Sequence, residues 1–179
     1  MPAAELFMER LLGSLHSKAV PKVLNKGEFL LRAGEIERNL YYIKSGAVRA
    51  FYLSEFEEQT IRLGYEGSII NSLASFLKET PSEFYLEPIR KTKLLVISKE
   101  NFFEVVEESE ESRQQYSRLL ELLITQLIER EIDLLTTSPI ERLNRVLLRS
   151  PHLFRHIPLK YIASYLRMKP ETLSRIRKS

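Results

Sequence analysis

Between Ser112 and Thr136 the chain runs without a proline or a glycine, and its apolar residues return every three or four positions. Tyr116, Leu120, Leu123, Leu127 and Leu134 form one line, and Ile124, Ile128, Ile132 and Leu135 form a second beside it. This spacing predicts one uninterrupted helix, about 38 Å long at the usual rise per residue. A helix with two apolar lines must touch two things. We read one face as packed on the N-terminal domain, and Tyr116, Leu120, Leu123, Leu127 and Leu134 as a dimer interface with the same helix of a second copy. The alternative is a long helix buried within a monomer. Arg130 interrupts the first line, so no continuous leucine zipper is expected.

The two sides of this helix differ in charge. Residues 1–138 carry 17 Lys and Arg against 22 Asp and Glu, whereas residues 139–179 carry 10 against 2, so a total of +3 hides −5 and +8. A basic tail on an acidic body is the electrostatic footprint of nucleic-acid contact, although a solvated basic helix would carry the same charge. The chain has no cysteine, which excludes disulfides, thiol catalysis and cysteine-held clusters. His16, His152 and His156 are too scattered for a metal site. There is no run of eighteen apolar residues, and Glu5 and Glu9 interrupt the first fifteen, so neither a spanning helix nor a secretory signal is expected. A cytoplasmic location follows.

Ahead of the long helix the periodicity changes. Ala3 to Leu15 has an amphipathic helical pattern, after which short apolar or alternating runs follow: Phe29–Leu31, Leu40–Ile43, Val48–Leu53, Thr60–Leu63, Ser68–Ile70, Phe84–Pro88 and Leu94–Ile97. Gly27, Gly34, Gly46, Gly64 and Gly67 fall at the breaks between them. Seven or eight short strands in about eighty residues predict a sandwich or barrel. Ser98 then caps a short helix carrying Phe102, Phe103, Val105 and Val106, and the acidic run from Glu107 to Glu111 complements the start of the long one. Ser138-Pro139-Ile140-Glu141 places a cap, a first-turn proline and a third-position glutamate together, which starts a new helix and marks a hinge after Thr136.

Two short helices follow, Leu159–Leu166 and Pro170–Lys178, separated by Arg167-Met168-Lys169. Ile162, Leu166, Leu173 and Ile176 face the corner between them, and Ala163 is small enough for a close crossing. That is the pattern of a helix-turn-helix whose second helix enters the major groove.

The chain resembles the Crp/Fnr family of bacterial transcription regulators. The resemblance rests on Lys26-Gly27-Glu28, Ala33-Gly34-Glu35, Leu40-Tyr41-Tyr42-Ile43 and Gly46-Ala47-Val48 in the strand region, and on Ile162-Ala163, Leu166 and Glu171-Thr172-Leu173-Ser174-Arg175 near the end. It implies an α+β chain: an eight-stranded jelly-roll β-barrel like a cyclic-nucleotide-binding domain over 1–111, a dimerisation helix over 112–137 and a helix-turn-helix over 138–179. It also implies that Glu171 and Arg175 read base edges, since Arg donates twice to guanine and Glu accepts from cytosine. Thr172, Ser174, Arg177, Lys178 and Lys160 are expected at phosphates. The alternative for Glu171 and Arg175 is a plain i,i+4 ion pair.

The departures from the family pattern carry as much information. Where the family's nucleotide binders have a Gly-Glu-Leu turn for the ribose, this chain has Asn71-Ser72-Leu73, and where an Arg-Ser pair grips the phosphate it has Ser82-Glu83. The polar pair offered to adenine falls at Leu127-Ile128. A carboxylate beside a phosphate repels it, so these seven positions are expected to form a degenerate ligand pocket that does not take cyclic AMP. In the reading motif Arg167 stands where a turn glycine is usual and Lys169 where a Ser or Thr cap is usual; both are expected to serve as phosphate contacts instead. The sequence reaches Ser179 at the end of the reading helix, so no wing is expected.

The expected partners are duplex DNA, a second copy, RNA polymerase and an unidentified small-molecule effector, with no membrane, metal or cofactor. A second reading is a module that has lost its effector, or has an unknown one, and acts through protein contacts with weak DNA binding, or binds DNA constitutively. An enzyme of the jelly-roll class would need histidines inside the barrel, and none lies between His16 and His152; haem sensing lacks an axial ligand for the same reason.

Overall fold

The computed structural model describes residues 13, 15–55 and 57–178; the helix expected over Ala3–Leu15 lies outside them except at Gly13 and Leu15. The strands are β1 (Val20–Leu24), β2 (Asn39–Ser45), β3 (Ala47–Leu53), β4 (Glu58–Tyr65), β5 (Ile69–Ile70), β6 (Tyr85–Pro88) and β7 (Thr92–Ser98). The helices are α1 (Leu73–Lys78), α2 (Lys99–Glu107), α3 (Glu110–Leu135), α4 (Pro139–Arg149), α5 (Leu153–His156), α6 (Leu159–Tyr165) and α7 (Pro170–Lys178).

The strands form two antiparallel sheets, ordered β1-β7-β2-β5 and β4-β3-β6, and not the closed eight-stranded barrel that the resemblance implied. Phe29–Leu31 is no strand. Three residues between two turns leave room only for an isolated bridge, in which Leu30 N donates to Leu86 O at 2.8 Å and Leu86 N donates to Leu31 O at 2.9 Å. Conversely Val20-Pro21-Lys22-Val23-Leu24 pairs along β7 although it contains a proline. The strand lies at the sheet's edge, the one place where a missing N–H costs no ladder bond.

Alternation along the strands divides the core. Tyr41, Ile43, Val48, Ala50, Leu86 and Leu94 meet between the two sheets. Leu40 and Ile97 face the other way and pack with Phe76, Phe102, Val105, Val106 and Leu119, which brings α2 and the first half of α3 against the four-stranded sheet. Ala47 and Ile89, with Leu63 and Tyr65 beside them, pack against Leu143, Val146, Tyr161, Ile162, Leu166 and Leu173, so the helical C-terminal segment shares a core with the outer face of the three-stranded sheet. Gly46 makes the tight β2–β3 turn at φ 99°, where a Cβ would lie 2.5 Å from Thr92 Oγ1. No other residue fits there.

The helix starts at Ser98 and Ser138 follow their predicted chemistry, and Ser109 adds a cap to the acidic run expected at the start of α3. Ser98 Oγ accepts from Asn101 N, Ser109 Oγ from Ser112 N, and Ser138 Oγ from Glu141 N, each satisfying one of the amides a helix leaves unpaired. The single turn α5, between Pro151 and Pro158, has no periodic signal in its four residues and was not expected.

The five residues expected to form one dimer seam divide. Tyr116 and Leu123 pack on the chain's own core, Tyr116 with its ring 5.7 Å from Phe102 and 5.8 Å from Phe103, and Leu120 is half-buried. Leu127 and Leu134 are exposed, together with Ile124, Ile128, Ile132 and Leu135. The physical reason is crossing geometry: α2 crosses only the first half of α3, so the apolar lines are covered there and uncovered below. No helix of the described residues is long and apolar enough to cross a membrane.

Candidate nucleic-acid interface

The sheet domain places α1 where the resemblance puts a ligand, but the serine hydroxyls there are already engaged, while Asn71 Nδ2 is buried without a partner. Ser72 and Ser82 are 2% and 4% exposed, and their hydroxyl oxygens lie 2.9 Å apart. Ser82 Oγ also accepts from Phe84 N at 3.0 Å, while its backbone bonds Glu35 O and Gly34 N at 2.8 Å. Ser72, at the cap of α1, therefore makes no side-chain capping bond. On the other side of α1, Ser75 Oγ accepts from Glu37 N at 2.9 Å and donates to Thr80 O at 2.6 Å. Glu83 is exposed, Asn71 and Leu73 are half-buried, and Leu127 and Ile128 lie exposed on α3. The structure thus brings Ser72 and Ser82 together, with Asn71, Leu73 and Glu83 beside them in the chain, and shows no contact of Leu127 or Ile128 with them.

Beside this web sits Glu37, 1% exposed. Its Oε1 accepts from Asn39 N at 3.0 Å and from the Tyr41 hydroxyl at 3.1 Å, but its Oε2 is buried without a partner. Uncompensated burial pushes the carboxyl up to about 7. Burial, reinforced by Glu37, raises the Tyr41 hydroxyl as well.

The basic segment is arranged in the opposite sense. Ile162, Leu166 and Leu173 are 0% exposed and lock α6 against α7, so the polar residues of α7 are turned out. Glu171 and Arg175 are exposed one helical turn apart, and with Leu159, Pro170, Ser174 and Lys178 they line one open groove of about 610 Å³. Acid in the first turn and Arg175, Arg177 and Lys178 in the last complement the helix dipole. Thr172 is half-buried, and Lys169 is exposed. Lys160 holds its ammonium 4.6 Å from the Tyr161 ring, and Arg177 its guanidinium 5.2 Å from the Phe154 ring.

Arg167 departs from its expected role. The turn does need a left-handed residue, and Arg167 supplies it at φ 55°, at a cost of about 1 kcal/mol relative to glycine. Its guanidinium, however, donates to Gln59 Oε1 on β4 and is not turned toward the groove. The carbonyls that end α6 are capped by other arginines. Arg130 of α3 donates to Tyr165 O with its guanidinium 3.8 Å over the Tyr165 ring, and Arg142 of α4 donates to Leu166 O at 2.6 Å and to Thr136 O at 2.6 Å. Burial lowers the pKa of Arg130 and raises that of Tyr165. The expected hinge after Thr136 is held a second time by Asp133, which is 0% exposed and paired with Arg145 at 2.9 Å and with Arg149.

Residues 21–109 match the cyclic nucleotide-binding domain family. Solved structures match nearly the whole chain: FixK2 from Bradyrhizobium japonicum at 20% identity, covering 89% of this chain and 83% of that one with a TM-score of 0.73; a CooA mutant from Carboxydothermus hydrogenoformans at 17% identity, covering 94% and 82% with a TM-score of 0.71; and the catabolite activator protein of Thermus thermophilus at 22% identity, covering 94% and 81% with a TM-score of 0.58. This is a chain of Crp/Fnr-like fold, built on a cyclic nucleotide-binding domain. A comparison with curated proteins found no match.

Within this chain of Crp/Fnr-like fold, the residues that hold α6 and α7 in place were the ones sequence reasoning missed. Arg130 had a signal, since it breaks an apolar line and so had to face something other than a hydrophobic partner. Asp133, the acid between Ile132 and Leu134, had a similar one. Arg142, Gln59 and Thr60 had none, because their partners lie in distant segments.

Proposed function

We propose that this chain is a homodimeric, sequence-specific DNA-binding transcription regulator of the Crp/Fnr type that does not respond to cyclic AMP. One observation carries the DNA reading: Glu171, Ser174, Arg175 and Lys178 line a single open groove on the second helix of a helix-turn-helix. Glu171 and Arg175 read bases by accepting from cytosine and donating to guanine. Lys160, Lys169, Thr172, Ser174, Arg177 and Lys178 hold phosphates and so fix register. The groove belongs to the part of the chain whose charge balance is +8, which favours a polyanion.

The dimer forms along the uncovered half of α3, where Ile124, Leu127, Ile128, Ile132 and Leu135 are between 44% and 73% exposed. A second copy of the same helix is the occupant that also brings two reading helices to one duplex. We assign the sensor to 1–111, the dimer helix to 112–137 and the reading segment to 138–179. RNA polymerase is the machinery such a regulator acts on, the setting is cytoplasmic, and no catalytic role is assigned.

A second reading is favoured by the Ser72–Ser82 contact, in which these two hydroxyls engage each other: a module that has lost its effector and binds only a protein partner, or DNA constitutively. Selection of bound sequences from random duplex DNA tests the main proposal. A palindrome with half-sites one helical turn apart is the expected result, and recovery of unselected sequence would overturn it. A screen in which some metabolite raises the melting temperature would overturn the second reading.

A further inference from the structure

Strand β4 lies at the edge of its sheet, and such an edge offers unpaired peptide groups. Here α6 covers it. Thr60 N donates to Ser164 Oγ at 3.0 Å, Ser164 Oγ donates to Glu58 O at 3.3 Å, and Arg167 donates to Gln59 Oε1. Three consecutive residues of the strand therefore grip the end of the first helix and the turn that launches the second. The grip adjoins a bulge: the register passes from Ala50 opposite Arg62 to Phe51 opposite Thr60, which leaves Ile61 as an extra residue on β4. A bulge re-aims the strand end that carries it. Beneath the same helix Arg49, 6% exposed, lies 4.8 Å from the Tyr161 ring while paired with Glu87 at 2.7 Å and Glu58 at 2.6 Å. The sensor sheet thus holds the reading segment through directed polar contacts as well as through shared apolar packing.

We propose that β4 is a strut that sets the angle of the reading helix, and that Arg167 is a positioning residue held by Gln59 and not a phosphate contact. The proposal rests on the DNA reading assigned above. A guanidinium engaged with the chain's own side chain displaces no counterion from DNA, and this separates the two roles. An exposed arginine at a helix-turn-helix turn would otherwise be a natural phosphate ligand.

The test uses the full chain, which has no cysteine, so spin labels at Lys93→Cys and Arg155→Cys report the distance between sensor and reading segment. In that background Gln59→Ala, Arg167→Gly, the double variant and Gln59→Glu are compared with the parent. Expected are a broadened distance distribution and five- to tenfold weaker binding to the selected operator in both single variants, no further loss in the double variant, an unchanged salt slope throughout, and a parental distance distribution for Gln59→Glu, which keeps an acceptor for Arg167 while losing the Gln59 Nε2 donation to Glu57 at 2.9 Å. A salt slope flattened by about 0.9 in Arg167→Gly alone, with Gln59→Ala like the parent, would make Arg167 a phosphate contact and overturn the strut. Additive losses in the double variant would overturn it as well. If the parent binds no duplex, the DNA reading fails and the distances still decide: unchanged in both single variants sinks the strut, and broadened in both sustains it.

Discussion

The α1 pocket and the α7 groove are the two places where a Crp/Fnr-like chain would meet a ligand, and in this molecule they have opposite economies of hydrogen bonding. At α1 the buried hydroxyls of Ser72 and Ser82 are joined to each other and Ser82 to Phe84, while that of Ser75 is joined to Glu37 N and Thr80 O. At α7 the side chains of Glu171 and Lys178 stand in solvent. A buried polar group must find its partner inside the fold, and one that has done so offers little to an incoming molecule. A solvated group on a rigid helix keeps its capacity. The difference lies in Ser82, which is short enough to be drawn into the chain's own web, whereas a long charged side chain would have to reach outward.

The sharpest way to break this contrast is to put charge back into the pocket. Ser82→Arg places a guanidinium in a site that is 4% exposed and filled by the Ser72 hydroxyl. It should destabilise the fold by about 3 kcal/mol or more, read by urea unfolding, without creating affinity for cyclic AMP. A stable variant that bound the nucleotide would show that the pocket is open and lacked only its cation.

Glu37 tests how tightly the web is closed. Its carboxyl is held at about 7 against an ordinary value of 4.5, so the folded state favours the proton more than the unfolded state does. The stabilising effect of protonation is complete below pH 4.5 and is lost as pH rises through 7. Glu37→Gln should therefore stabilise by up to about 3 kcal/mol above pH 7, less what the new N–H costs if unpartnered, and by little near pH 4. Melting curves across that range check it. A pH-independent difference would mean that water reaches Glu37, and hence that the pocket is not sealed.

On the open side, Arg175→Ala should cost about 1–3 kcal/mol of discrimination between operator and mismatched DNA, whereas Lys169→Ala should weaken all sequences alike and reduce the salt slope by about 0.9. Titrations at several salt concentrations on matched and scrambled duplexes separate them. If Arg175→Ala lowered both duplexes equally, the groove would be a phosphate cradle and base reading would have to come from elsewhere on α7.

What the sequence could and could not convey follows from the range of the interactions. The caps at Ser98 and Ser138, the long helix and the two short helices α6 and α7 are local, set by residues within a turn of one another, and they lie where the spacing predicts them to within two residues. Long-range pairings were not legible. Val20–Leu24 carries a proline and becomes a strand only because β7 supplies a partner, while Phe29–Leu31 has strand composition and no neighbour long enough to extend it. Leu123 and Leu127 look alike on the sequence and differ only in whether α2 passes over them. Arg167 was legible as an outlier in the turn, since its left-handed φ follows from the motif, but the destination of its side chain depends on a strand more than a hundred positions away.

The smallest expected effect is the most decisive for the pocket. A ligand that binds only the folded state stabilises it by RT ln(1 + [L]/Kd), so 1 mM cyclic AMP at a micromolar Kd would add about 4 kcal/mol. For a chain of this size that is a rise in Tm on the order of 10 °C. With Ser72 and Ser82 bonded to each other and the carboxylate of Glu83 beside the position where a phosphate cation is usual, Kd should be no tighter than about 1 mM, which limits the gain to roughly 0.4 kcal/mol and the rise to about 1–2 °C. Thermal melts with the nucleotide, with 5′-AMP and with inorganic phosphate at equal ionic strength distinguish a specific site from a general anion effect. A rise of several degrees confined to cyclic AMP would mean that the Ser72–Ser82 contact opens at little cost, and the contrast between a closed pocket and an exposed groove would then be one of occupancy rather than of chemistry.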